Sequence, residues 1–229
     1  SLGVPSHWPC QGIGDDCAIL QIGSHTLAIT TDSTALSTHF LPDADPVTVG
    51  YKALAVNLSD LAAAGSVPRV FFLAISLPKA DESWLMKFSQ GLKEAAQEYD
   101  CALLGGDTTR SPLVGQERSP TSLTITAIGE VNGQALTRKG AQVGDDIWVS
   151  GTVGDAYAAL MIRTGQWNEP LTQALALRMD RPTPRVQLGQ FLAHHLASAC
   201  ADVSDGLYQD LCHILPVSYT HLRAHETGA

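Results

Sequence analysis

The chain has 229 residues, 45% of them hydrophobic and 16% charged, and a formal net charge of −9. That length buries a sizeable core in one large domain or two small ones, and the acidic balance argues against nucleic acid as a partner. No apolar run approaches the ~18 residues that cross a bilayer. The first residues lack the charged and apolar regions of a secretory leader and there is no initiator Met, which predicts a soluble, cytoplasmic chain cut at its N-terminus, with no membrane partner. The five cysteines, Cys10, Cys17, Cys101, Cys200 and Cys212, are odd in number and form no CxxC pair, which argues against a zinc ribbon or thioredoxin-like site.

Taken in chain order, residues 17–22 and 26–31 read as strands joined at Gly23-Ser24, a hairpin turn. Asp45-Pro46 opens a helix as N-cap and first helical residue. Val47, Tyr51, Leu54, Leu58 and Leu61 form its apolar stripe, and Gly65 ends it. Residues 69–77 and 122–131 are β-rich. Between them a helix starts near Asp81, with Leu85, Phe88, Leu92, Ala95 and Tyr99 inward and Lys87, Gln90, Glu94 and Gln97 solvated. The glycine-rich stretch 137–144 marks the domain boundary, giving an N-terminal domain over 1–140 and a second over 141–216. In the second, 146–150 reads as a short buried strand. Helices are predicted over 154–163, 171–179, 185–196 and 206–214, with a strand at 199–203. Strands and helices without strict alternation predict an α+β fold. Residues 217–229 are polar, His-rich (His221, His225) and aperiodic, and read as a non-native tail outside the fold.

The chemistry concentrates in short acidic motifs beside glycine or at strand ends: Gly14-Asp15-Asp16, Thr30-Thr31-Asp32, Asn57-Leu58-Ser59-Asp60, Gly105-Gly106-Asp107 and Asp202-Val203-Ser204-Asp205-Gly206. Strand ends are where side chains and free backbone N–H groups converge on open space. The helix carrying Asp60 has only one other charged residue, Lys52. A carboxylate there meets a cation, a donor cluster or solvent, and the solvated or capping reading stays open beside the ligand reading. Gly-Asp is also ordinary turn chemistry, and Ser204 and Asp205 also suit a helix N-cap. Several oxygen ligands without Cys or His suit Mg²⁺ rather than zinc. Carboxylates gathered around Mg²⁺ make a polyphosphate site. There is no GxxxxGK[ST] loop and no protein-kinase motif set. Arg110 and Arg138 flank glycine-rich segments and suit either a phosphate or a surface salt bridge.

Taken in order, the strings GIGDDCAIL, TTDS, HFLPD, GYKALAVNLSDLAAAG, LLGGDTTRSP, ALTRKGAQVGDDIWVSGTVGDA, RPTPRV and DVSDGL resemble the thiamine-phosphate kinase family of the PurM-like superfamily, over nearly all of residues 12–215. The resemblance implies a PurM-like N-terminal sheet domain that pairs in a homodimer, followed by an incomplete C-terminal α/β domain. It implies transfer of the ATP γ-phosphate to thiamine monophosphate with several Mg²⁺ ions. Carried over residue by residue, it implies that Asp16, Thr30, Thr31, Asp32, Asp60, Asp107, Asp202 and Asp205 hold Mg²⁺ directly or through water. Gly106, Asp107, Arg138 and Ser204 would contact ATP, and His39 the thiamine phosphate. The acceptor oxygen is already anionic, so direct in-line attack needs no strong general base, and none is assigned.

Two departures qualify the resemblance. Ser33 follows Asp32 where the family has threonine or a similar residue, and the family's GGEDYE-like continuation beyond DVSDGL is missing. The expectation is an enzyme of this class whose present chain is weak or inactive. Two alternatives stand beside it: another PurM-like ATP enzyme, of the selenophosphate synthetase or aminoimidazole ribonucleotide synthetase type, and a non-catalytic nucleotide-binding dimerisation module. Selenophosphate synthetase would show a reactive Cys and Lys motif near its N-terminus, which is absent from this sequence.

Overall fold

The computed structural model describes residues 10–194 and 196–218. Most of the predicted tail, 219–229, lies outside the described residues. Strands β1 (Cys10–Gln11), β2 (Ala18–Ile22) and β3 (His25–Ala35) lead into helix α1 (Pro46–Ala63). Strand β4 (Val67–Leu77), helix α2 (Glu82–Glu98) and strand β5 (Ala102–Arg110) follow, then a small hairpin of β6 (Leu113–Val114) and β7 (Glu117–Arg118), and β8 (Ser122–Glu130). The remaining elements are helical: α3 (Asp155–Arg163), α4 (Gln173–Asp180), α5 (Val186–Leu192) and α6 (Leu207–Val217).

The main sheet runs β1-β2-β3-β8-β4-β5. β8 is antiparallel to both β3 and β4, and β4 and β5 are parallel through the α2 crossover. A two-residue turn joins β2 to β3, with Ile22 opposite His25. Gly23 there sits at φ 59°, the position where a tight hairpin of this kind takes glycine.

Helices α1 and α2 cover one sheet face. Leu54, Leu58 and Leu61 of α1 and Phe88, Leu92 and Ala95 of α2 bury against Phe71 and Ile75 of β4 and Leu123, Ile125 and Ala127 of β8. Each full burial of a large apolar side chain contributes about 1.5–3 kcal/mol. The two helices meet backbone to backbone at glycines. A Cβ at Gly50 would lie 2.0 Å from the Phe88 carbonyl oxygen, and one at Gly91 would lie 1.7 Å from that of Val47. The other sheet face is mixed: Ile29, Ile128 and Phe72 share it with Thr31, bonded to Thr126 (2.9 Å), and Ser33, bonded to Thr124 (2.8 Å).

The second half docks onto α1. Gly189 of α5 approaches Ala62 so closely that a Cβ would lie 1.9 Å from its carbonyl oxygen. Arg181 stacks 4.0 Å over the Tyr51 ring and pairs with Glu94 at 2.7 Å. At the end of α6, Ser218 Oγ donates to the Arg138 carbonyl (3.0 Å) and accepts from the N–H groups of Gly140 (3.1 Å) and Ala141 (3.2 Å).

Some of the sequence expectations are corrected here. Residues 146–150 form no strand and are exposed, with Ile147 at 57% and Trp148 at 89%. Residues 199–203 form none either. Both have local β-propensity, but a strand needs a ladder of backbone hydrogen bonds to a neighbour, and 199–203 has one bond of that kind, from the Cys200 N–H to the Thr137 carbonyl at 2.9 Å, without forming a ladder. The segment 102–110, carrying Gly105-Gly106-Asp107, is by contrast a full edge strand. The predicted helix over 185–196 stops at Leu192, and α6 runs on to Val217. No helix among the described residues is long and apolar enough to cross a membrane.

Candidate metal and phosphate site

Strand alternation sorts the Thr30-Thr31-Asp32 motif. Thr30 and Asp32 pair with the buried Ala127 and Ile125 and share the helix-covered face, whereas Thr31 lies on the other. Asp60, in the last turn of α1, meets this face, and Thr30 Oγ1 donates to Asp60 Oδ2 at 2.6 Å. The turn before β2 brings Asp16, and the loop before α6 brings Asp202. One oxygen from each of Asp16, Asp60 and Asp202 lies within 4.8 Å of the others. Residues spread over most of the chain therefore converge on one half-buried point.

Carboxylates held so close repel one another, and burial removes the water that would stabilise their charge. Burial pushes Asp60 up to about 8, with Asp202, Asp32 and Asp16 adding to the rise against the Thr30 hydrogen bond. Asp202 rises to about 6, chiefly through burial and then Asp16, against a hydrogen bond from Ser59. Asp16, whose side chain is 5% exposed, is also raised by burial despite the Arg138 guanidinium bonded to it. Asp32 rises through burial, with His39 pulling the other way.

Arg138 is the cation of the cluster. Its guanidinium pairs with Asp16 and its backbone N–H donates to Asp15, while its Nε is buried without a partner among the described residues. Four carboxylates against one guanidinium leave a negative excess, which an oxygen-seeking divalent cation would neutralise. The donor set, all oxygen and including buried carboxyls that want a counter-charge, fits Mg²⁺.

The remaining predicted residues are not all brought to this centre. Ser204 and Asp205 are exposed, and Asp205 accepts a bond from Gln209 at 3.3 Å. Gly106 aligns with Asp32 across Ile125 and Leu73. A Cβ on Gly106 would stand 1.8 Å from the Leu73 carbonyl oxygen, and its φ is 155°. Asp107 falls one position on, in the row of Ala74, Thr124 and Ser33, exposed on the opposite face and outside the three-carboxylate group. His39 is exposed; its Nδ1 accepts from the Ala35 N–H at 3.0 Å, and its carbonyl accepts from Lys52 Nζ at 3.2 Å.

Sequence reasoning missed Asp210. It is 6% exposed, and one of its oxygens accepts from the N–H groups of Ser204, Asp205 and Gly206. An aspartate on the first turns of a helix whose N-cap is glycine was the available signal.

The chain as a whole is similar to known proteins. The family model for AIR synthase related protein, N-terminal domain, matches residues 14–131. Thiamine-monophosphate kinases from Salmonella typhimurium and from Escherichia coli K12 are each 49% identical over 212 residues, 90% of this chain and 62% of theirs. The chain thus spans about three fifths of the length of these relatives. Among solved structures, AaThiL complexed with AMPPCP and TMP superposes with a TM-score of 0.82 at 33% identity, over 90% of this chain and 65% of that one. Thiamine-monophosphate kinase from Stenotrophomonas maltophilia K279a gives 0.76 at 47% identity, over 91% and 66%.

Proposed function

The chain belongs to the AIR synthase-related protein family, and we propose that it carries the metal- and ATP-binding part of a thiamine-monophosphate kinase. The observation that carries this reading is the meeting of Asp16, Asp60 and Asp202 within 4.8 Å. The acceptor is proposed from the relatives at 49% identity.

Asp16, Asp32, Asp60 and Asp202 would hold Mg²⁺, with Thr30 orienting Asp60 and with Thr31, Asp107 and Asp205 at the margin. Bound there, Mg²⁺ supplies charge neutralisation for the polyphosphate and its leaving group. Gly106 would offer its backbone to phosphate, its glycine being required by the Leu73 backbone packed beside it. Arg138 and Ser204 offer a guanidinium and a hydroxyl to ATP. His39 stands beside Asp32 and is assigned to the acceptor.

In the transfer, an oxygen of the thiamine phosphate forms the new bond to the γ-phosphorus as the bond to the β,γ-bridging oxygen breaks, and ADP leaves. The acceptor oxygen carries its own negative charge, so the protein contributes positioning and electrostatics rather than a proton acceptor. We extend the proposal to a cytoplasmic homodimer formed through the open sheet face and the β5 edge, where Phe72, Leu103 and Leu104 stand exposed.

The test is thiamine diphosphate formation from thiamine phosphate and Mg²⁺-ATP, by this chain and by one extended to the length of its relatives. Product from the extended chain supports the reading. Product from neither, with both folded, sinks it.

A further inference from the structure

The loop from Asp202 to Gly206 is held by an internal anion. Asp210 Oδ2 accepts from three consecutive backbone N–H groups, of Ser204 at 2.9 Å, Asp205 at 3.2 Å and Gly206 at 3.1 Å. These N–H groups lead into α6, whose N-cap Gly206 (φ 145°) has no side chain to cap with. Successive N–H groups turned to one point form a nest that attracts an anion. Here the protein fills the nest itself, with a side chain from the helix that the nest precedes.

Two consequences follow for the site. The backbone donors of Ser204, Asp205 and Gly206 are spent on Asp210, so any contact from Ser204 to a phosphate is left to its hydroxyl. The loop is also pinned at three successive residues beginning two positions after Asp202. Asp202 sits in the carboxylate cluster with no element of regular structure immediately around it: 199–205 is neither helix nor strand. The Asp210 clamp is the nearest rigid anchor on its C-terminal side.

We propose that Asp210 is a positioning residue for the metal centre: by clamping the 204–206 backbone it holds Asp202 where Asp16 and Asp60 meet it. The inference rests on the metal reading above and adds a residue to it. Groups that orient metal ligands from behind cost about 10–100-fold in metal affinity or activity when removed. Asp210→Ala should therefore weaken divalent-ion binding without touching a ligand. Asp210→Asn keeps an acceptor oxygen but loses the charge, which roughly halves the strength of such bonds, and should fall between Ala and wild type.

The experiment measures the Mn²⁺ dissociation constant by electron paramagnetic resonance titration of the full chain, well below its unfolding temperature. The variants are Asp202→Asn, Asp210→Ala and Asp210→Asn, with folding checked by circular dichroism. The expected result is a dissociation constant raised about 10–100-fold in Asp202→Asn and Asp210→Ala, and about 3–10-fold in Asp210→Asn. A merely structural Asp210 would lower the unfolding temperature and leave this constant alone. A folded Asp210 variant that holds Mn²⁺ within about twofold of wild type, while Asp202→Asn has lost it, overturns the positioning role and spares the metal reading. Unaltered binding in Asp202→Asn overturns both.

Discussion

Replacing Asp60 with asparagine should make the metal-free protein more stable, although Asp60 lies at the centre of the proposed site. Its carboxyl is raised from an ordinary 3.8 to about 8, first by burial and then by the neighbouring aspartates. The folded state therefore holds a proton that the unfolded chain releases near pH 4. The stabilising contribution is complete below that pH and drains away as pH rises through about 8. One unit is worth about 1.4 kcal/mol, so by pH 7 the loss at Asp60 amounts to about 4 kcal/mol as an upper figure. Asparagine carries no charge to bury, and its carbonyl still accepts the hydrogen bond from Thr30. Its amide also offers a donor to the adjacent carboxylates of Asp16 and Asp202. A gain of about 2–4 kcal/mol is expected, which raises the unfolding temperature by about 5–15 °C in a chain of this size.

The assay is thermal unfolding followed by circular dichroism in chelator-containing buffer from pH 5 to 9, repeated with saturating Mg²⁺. Wild type should lose stability from pH 5 to 8 in chelator and regain it with Mg²⁺, which replaces the missing counter-charge. Asp60→Asn should be flatter with pH, more stable in chelator and nearly indifferent to Mg²⁺. A less stable Asp60→Asn in chelator, or an undiminished response of that variant to Mg²⁺, would refute the reasoning.

Binding of Mn²⁺ should tighten between about pH 6 and 8, because Asp202 (about 6) and Asp60 (about 8) give up protons to the ion; a pH-independent constant in a titration would contradict the cluster. Asp107→Asn should change stability by less than about 0.5 kcal/mol, since the side chain is exposed. The same variant should lose most turnover in the extended chain, and full turnover would strike Asp107 from the proposed ligands. Gly91→Ala should destabilise by about 3 kcal/mol or more in urea unfolding, because its Cβ would stand 1.7 Å from the Val47 carbonyl oxygen. Its better helix propensity, worth about 1 kcal/mol, does not offset that; a gain in stability would mean the helices can part cheaply.

What could be read from the sequence were features with a local cause. Asp45 does cap α1, accepting from the Val47 N–H, and the apolar stripe behind it is buried. The hairpin at Gly23-Ser24 and the long β8 follow from period-two patterning and turn chemistry. The segments 146–150 and 199–203 show the opposite case, because local propensity cannot supply a pairing partner. Strand β5 was hidden by the residues that matter to it. Gly106 weakens any strand pattern, yet the approach of the Leu73 backbone leaves no room for a side chain there.

The site divides in the same way. That Thr30 and Asp32 share a face and Thr31 does not follows from strand alternation alone. The meeting of Asp16, Asp60 and Asp202 is different, since no spacing relates a turn, a helix end and a loop so far apart in the chain. It is produced by packing: Gly50 and Gly91 let α2 close on α1, Gly189 lets α5 close on α1, and Ser218 ties the end of α6 to the Arg138 loop. Asp210 was harder still to see, because its partners are backbone N–H groups that any sequence would provide. A carboxylate that binds side chains leaves a pattern of residue types, whereas one that binds the main chain leaves only its own position, four residues after a glycine cap.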